Sequence, residues 1–342
     1  MKRFIITGPS KAVNGIVNIS GAKNSCLPLM AASILFKKEV ILRNVPLVQD
    51  VFTMKDLLIS LGSKVKILEK KKIMIITNKK DHKLTVPYNL VSTMRAGVLT
   101  MGSLLGRYPK KNIRVAQGGG CALGIRDTSW HLEGFKSLGA EHVLEKGYVK
   151  ISSKNGLVGK SYKFPKITVT GTSNLIMSSV FVRGSHVLKN ISLEPEVTDL
   201  IKFLNNSGAN IKFIGKRSLR IKGVKELLSG NHKIIGDRIE AFSYLCVGAI
   251  TKGSVKVANI NPKFLPSELK ILKKIGFKID VSKNSIKLKP INNLIDEVWL
   301  GRPHEGLSDP FLRPSILSGE NTNQKIKQIQ NKLELNKGQG LI

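Results

Sequence analysis

Four stretches carry the reading: Leu61-Gly62-Ser63-Lys64-Val65-Lys66-Ile67, Leu138-Gly139-Ala140-Glu141-His142-Val143, Ser207-Gly208-Ala209-Asn210-Ile211-Lys212-Phe213 and Ile275-Gly276-Phe277-Lys278-Ile279-Asp280-Val281. In each, a glycine follows an apolar-periodic run and precedes alternating apolar residues. Glycine ends a helix in the left-handed conformation, and alternation begins a strand. The glycines are 77, 69 and 68 residues apart. Upstream, residues 51–61 and 267–275 have helical apolar spacing. Before three of these helices stands a strand-ending asparagine: Asn44, Asn190 and Asn259, lying 18, 18 and 17 residues ahead of the glycine.

Each unit of the repeat also holds a second kind of helix. Residues 25–36, 93–105, 173–182 and 241–250 are small, apolar and nearly uncharged. A helix without a polar face is expected to be buried all round. The chain therefore reads as α/β, built from units of about 70 residues that cannot bury their cores alone. From about residue 291 the pattern stops and the composition becomes polar.

Composition limits the function. Hydrophobic residues make up 42% and charged residues 23% of the chain, as in a folded soluble protein. Lys2 and Arg3 are followed by no apolar run, so no signal peptide is expected. No apolar stretch reaches the length of a membrane span, and a cytoplasmic location is expected. The net charge is +33, but the lysines are spread evenly and aromatics are only 6%. A nucleic-acid partner is therefore not expected; that charge would steer anionic substrates. Cys26, Cys121 and Cys246 give no disulfide or zinc spacing. His131 and His142 lack ligand spacing too, so neither a metal nor another cofactor is expected.

The apolar helices all open on polar residues: Ser20-Gly21-Ala22-Lys23-Asn24, Ser92-Thr93-Met94-Arg95, Thr170-Gly171-Thr172-Ser173-Asn174 and Gly236-Asp237-Arg238-Ile239-Glu240. Helix N-termini favour anions, and Lys23 and Arg95 would reinforce that; ordinary caps beside surface cations fit equally. Gly118-Gly119-Gly120-Cys121 with Arg126 is either a loop presenting a reactive thiol or a glycine turn with an inert one. Cys26 and Cys246 sit in apolar helices and read as buried filler. Asp50, Glu194, Asp237 and Glu240 stand near element ends, where acids are mostly caps.

These residues resemble the UDP-N-acetylglucosamine enolpyruvyl transferases of peptidoglycan synthesis. The resemblance rests on Ser20-Gly-Ala-Lys-Asn24, Asn44-Val-Pro46 with Asp50, Thr93-Met-Arg-Ala96, Gly119-Gly-Cys121, Glu194-Pro-Glu196 and Asp237-Arg-Ile-Glu240, in order over residues 1 to about 290. It implies a two-domain inside-out α/β barrel of repeated units, the second domain incomplete. Residues 23–235 would form the first domain, 1–22 with 236–290 part of the second, and 291–342 a divergent tail.

The resemblance further implies the chemistry. The 3-hydroxyl of UDP-N-acetylglucosamine attacks C2 of phosphoenolpyruvate, C3 takes a proton, and phosphate leaves. Lys23, Arg95 and Arg126 would hold phosphoenolpyruvate. Cys121 would be the general acid and the residue alkylated by fosfomycin. Asn24, Asp127, Thr128, Ser129, Lys166, Thr168, Val169 and Asp237 would line the acceptor site, with Asp50 and Glu194 in support. Two departures stand out. Ser129 occupies the place of an aspartate that contacts uracil in the family. The C-terminal repeats are missing with their arginine, and Asp309 in Pro303-His-Glu-Gly-Leu-Ser-Asp309 only echoes the family's catalytic aspartate loop. An active transferase and an inactive remnant that binds the sugar nucleotide both remain open.

Overall fold

In the computed structural model, residues 11–78, 81–91, 94–116 and 128–290 are described. They fall into two compact units, one within Ser20–Asp237 and the other from residues 11–19 with 238–290. In chain order the elements are β1 (Gly15–Asn18), α1 (Lys23–Ala32), β2 (Val40–Arg43), α2 (Gln49–Leu61), β3 (Lys64–Leu68) and β4 (Ile73–Thr77). There follow β5 (Thr85–Val86), α3 (Tyr88–Val91), α4 (Leu99–Arg107), β6 (Ile113–Ala116), α5 (Ser129–Ser137), β7 (Glu141–Glu145) and β8 (Tyr148–Ser152). Next come β9 (Ser161–Lys163), α6 (Val169–Ser179), β10 (Ser185–Lys189), α7 (Pro195–Asn206), β11 (Asn210–Gly215), β12 (Ser218–Lys222) and β13 (Gly230–Lys233). The last are α8 (Arg238–Ile250), β14 (Val255–Ala258), α9 (Pro266–Lys274), β15 (Ile279–Ser282) and β16 (Ser285–Leu288).

The repeat is one sheet topology used four times. The orders are β13-β2-β4-β3, β5-β6-β8-β7, β9-β10-β12-β11 and β1-β14-β16-β15. In each, the first strand is parallel to the second and the rest are antiparallel. The glycines behave as their spacing predicts: Gly62, Gly139, Gly208 and Gly276 have φ of 110°, 87°, 101° and 105°. Only glycine takes such angles without a Cβ penalty.

The strand-ending asparagines share a device the sequence did not disclose. Asn44, Asn190 and Asn259 have φ of 60°, 57° and 61°. Their Nδ2 atoms donate to the carbonyls of Ile234, Phe164 and Ile19 at 3.0, 2.9 and 2.7 Å. Each ties its strand to the segment following the parallel neighbour. Asn190→Ala is expected to cost about 1–2 kcal/mol through the lost bond and the left-handed strain. Asn190→Gly should cost less, because only the bond is lost; urea unfolding of both variants checks the order.

Within Ser20–Asp237, β13 returns to pair with β2, closing three sheets around the helices. The apolar helices α1, α4 and α6 fill the interior. Eight of the ten residues of α1 and nine of the eleven of α6 are buried. The amphipathic helices α2, α5 and α7 pack against them, with Phe135, Phe203 and Phe36 fully buried.

The remaining unit has one described sheet, with Val255, Val257, Ile286 and Leu288 packed on Leu245 and Leu269. Here expectation fails. Helix α8 is not buried all round: only Ala241, Leu245 and Gly248 are, and Ile250 is 80% exposed. The reason is company. In Ser20–Asp237 three apolar helices bury one another, whereas the described residues clustered with α8 come from its own sheet and from the amphipathic α9 with the segment leading into it, not from a second apolar helix. Among the described residues no helix is long and apolar enough to cross a membrane, and no acid, histidine and cysteine cluster could hold a metal.

Two buried histidines give the Ser20–Asp237 unit a pH dependence. Burial pushes His82 and His186 down to about 4, with the Arg107 cation adding to the effect on His82 and Asp81 opposing it. The unfolded imidazoles bind protons below about pH 6.5 and the folded ones refuse them until about pH 4. Stability should therefore fall as pH drops through that window. The urea midpoint is expected to be lower at about pH 4.5 than at pH 7, and the gap to narrow in His186→Gln.

Candidate active site

The chain enters and leaves the Ser20–Asp237 unit at one place. Gly21 and Gly236 form an antiparallel bridge, Ala22 N donates to Ile235 O at 2.8 Å, and Asp237 N donates to Ser20 O at 2.9 Å. That junction sets Lys23, the first residue of α1, beside two carboxylates. The Lys23 ammonium lies 2.9 Å from Asp50 Oδ2 in the first turn of α2. The Lys23 backbone N–H donates to Asp237 Oδ2 at 3.4 Å. Helix α1 has no side-chain N-cap from Ala22, so the Asp237 carboxylate serves one of the free amides of that end. Asn24 follows, exposed on the same turn. The Lys23 and Asp50 side chains are 42% and 37% exposed, so the pair stays open to an incoming anion.

A second group gathers at the starts of α5 and α6. Thr168 caps α6, its hydroxyl accepting from Gly171 N at 3.2 Å. Val169 is the first residue of that helix, and Lys166 is exposed just before it. Thr128 precedes α5, and Ser129 is its exposed first residue. His131 joins the two helix starts: its Nε2 lies 3.4 Å from Thr170 Oγ1 and its Nδ1 2.9 Å from Asn174 Nδ2. Asn174 Oδ1 accepts from Gly102 N, and Asn174 Nδ2 also reaches Val98 O, so α4 is tied in as well. With Nδ1 accepting from an amide, the imidazole is a neutral Nε2–H tautomer pointing at Thr170.

Glu194 stands immediately ahead of α7, its carbonyl accepting from Val197 and Thr198. Cys121, Arg126, Asp127 and Asp309 lie outside the described residues, as does the side chain of Arg95. Of the residues picked from the sequence, then, Lys23, Asp50 and Asp237 meet directly, while Thr128 and Ser129 share a braced corner with Thr168 and Val169. Burial raises the thiol pKa of Cys26 and of Cys246, keeping both protonated.

Sequence reasoning missed His131, Asn174, Ser25, Asp199 and His232. The signal was there for some: Ser25 and Asn174 are polar residues inside apolar helices. Buried polar atoms nearly always have partners, so both announce a bond to another element without saying which.

The model for the EPSP synthase (3-phosphoshikimate 1-carboxyvinyltransferase) family matches residues 7–307. A UDP-N-acetylglucosamine 1-carboxyvinyltransferase of Pelagibacter ubique is 42% identical over 298 residues, covering 85% of this chain and 70% of that protein. Proteins of the same name from Coxiella burnetii and Hydrogenovibrio crunogenus are 38% and 40% identical, over 65% and 71% of their own lengths. The chain thus spans roughly two thirds of the curated relatives it matches. Among solved structures, the enolpyruvyl transferase NikO of Streptomyces tendae aligns with a TM-score of 0.73 at 18% identity, over 83% of this chain and 67% of that one. EPSP synthase of Acinetobacter baumannii aligns at 0.64 and 16%, over 82% and 65%. At such identities these two structures speak to the fold alone.

Proposed function

Because the chain belongs to the UDP-N-acetylglucosamine 1-carboxyvinyltransferases, within the wider EPSP synthase family, we propose that it moves the enolpyruvyl group of phosphoenolpyruvate onto the 3-hydroxyl of UDP-N-acetylglucosamine and releases phosphate. The observation that carries this is the junction where Lys23, Asp50 and Asp237 converge on the start of α1. A fixed ammonium beside a helix N-terminus is suited to a substrate bearing phosphate and carboxylate. Asp50 holds that ammonium in place until the anion arrives.

In this reading Lys23, Arg95 and Arg126 bind phosphoenolpyruvate and offset the charge that develops as the acceptor hydroxyl adds to C2. Cys121 supplies the proton and assists phosphate departure. Asn24, Asp127, Thr128, Ser129, Lys166, Thr168 and Val169 receive the sugar nucleotide, with His131 bracing the last of these. Asp309 takes the place of the family's catalytic aspartate. The first domain is the Ser20–Asp237 unit, and the reaction runs in the cytoplasm.

The alternative reading is a module that binds the sugar nucleotide without turnover. Phosphate release separates the two. Release that needs both substrates and disappears in Cys121→Ala supports the transferase. Folded protein that binds the nucleotide and releases nothing supports the binding module.

A further inference from the structure

Asp199, on α7, is 4% exposed, and its two oxygens serve two different segments. Oδ2 accepts from Ser25 Oγ at 2.5 Å, and Oδ1 lies 2.8 Å from His232 Nε2. Ser25 and His232 are themselves 0% and 6% exposed. The His232 ring is held edge-on to Phe203, centroids 5.5 Å apart, and Phe203 stacks on Phe36 at 5.2 Å.

The two segments are the ones that deliver the candidate active site. Ser25 stands two residues after Lys23 in α1. His232 stands on β13, five residues before Asp237. A buried carboxylate is costly unless both oxygens are bonded, and a buried polar cluster of this kind, replaced as a whole by apolar residues of similar volume, often loses no stability. Stability alone is therefore a poor reason for it.

We propose that Asp199 is a positioning residue: it bolts the start of α1 and the end of β13 to α7, in the one register that sets Lys23 beside Asp50 and brings Asp237 to the Lys23 amide. Its effect on turnover rests on the transferase reading above; its effect on geometry does not.

The test uses the full chain in four forms: wild type, Asp199→Asn, Ser25→Ala and, as a control, Leu200→Val on the same helix. Ser25→Ala removes one hydroxyl and nothing else, so it is available if Asp199→Asn fails to fold. The first readout is hydrogen exchange at the junction amides of Ala22, Cys26, Ile234 and Asp237. Exchange is expected to rise at least about tenfold at all four in Asp199→Asn, and on both segments in Ser25→Ala although that change touches only one. Leu200→Val should move them no more than the rest of the unit. The second readout is the split between kcat and KM. A displacement of about 1 Å at a reacting group costs up to roughly 100-fold, so kcat is expected to fall about tenfold to 100-fold in Asp199→Asn while KM for UDP-N-acetylglucosamine stays within about twofold. Junction exchange that matches the Leu200→Val control overturns the inference, as does a full kcat in Asp199→Asn. If the wild-type chain releases no phosphate, the transferase reading fails and exchange alone decides the role of Asp199.

Discussion

Lys23→Ala is expected to lower kcat/KM for phosphoenolpyruvate by about 100-fold to 1000-fold, the usual cost of deleting one preorganised electrostatic contact to developing charge. Its stability should hardly change. The Lys23–Asp50 pair is 42% and 37% exposed, and partly solvated pairs of this kind contribute about 1 kcal/mol or less. Lys23→Arg is not expected to restore activity, because a planar guanidinium does not occupy the point position of an ammonium 2.9 Å from Asp50. Steady-state phosphate release beside thermal melting checks both halves. A loss under about tenfold, with melting unchanged, would remove Lys23 from the chemistry.

Gly21→Ala should damage fold and site together. A Cβ at Gly21 would fall well inside contact distance of the Asn44 backbone carbonyl. Asn44 cannot give way: its φ is 60° and its side chain is bonded to Ile234 O at 3.0 Å. On its other side Gly21 is bridged to Gly236. Overpacking against backbone rather than a rotatable side chain is expected to cost about 3 kcal/mol or more. That is a fall of at least roughly 6 °C in melting temperature for a unit of this size. The segment it displaces, Ser20 to Lys23, is the one carrying the cation, so turnover should fall as well. Gly147→Ala is the control: φ there is 76° with nothing within 4 Å, so it should cost only about 1–2 kcal/mol of left-handed strain and no activity.

What could be read from the sequence was what repeats locally. A glycine that stops a helix and an alternating strand after it leave their mark within ten residues, so Gly62, Gly139, Gly208 and Gly276 were legible. The pairing of β13 with β2 was not, because Gly230 meets Val40 across the whole unit and parallel pairing leaves no local signature. Nor could the exposed face of α8 be seen, since composition reports what a helix would prefer to bury and not what is present to bury it. At the site, Lys23, Asp50 and Asp237 were each recognisable, but their convergence depends on the Gly21–Gly236 bridge. The bracing side chains were harder still. Ser25, Asp199 and His232 come from three elements and meet only after folding.

The strand order also sets a timetable for synthesis. Strand β1 leaves the ribosome well ahead of its parallel partner, which begins at Val255, 240 residues later than Gly15. At typical elongation rates that is a delay of roughly 10 to 50 s. The entire Ser20–Asp237 unit can close in that interval, since every strand of its sheets is already made. Among the described strands β1 thus waits longest for its parallel partner, and until then Ile16 and Val17 travel on an unpaired edge, the kind of exposed segment that makes incompletely folded chains prone to aggregate.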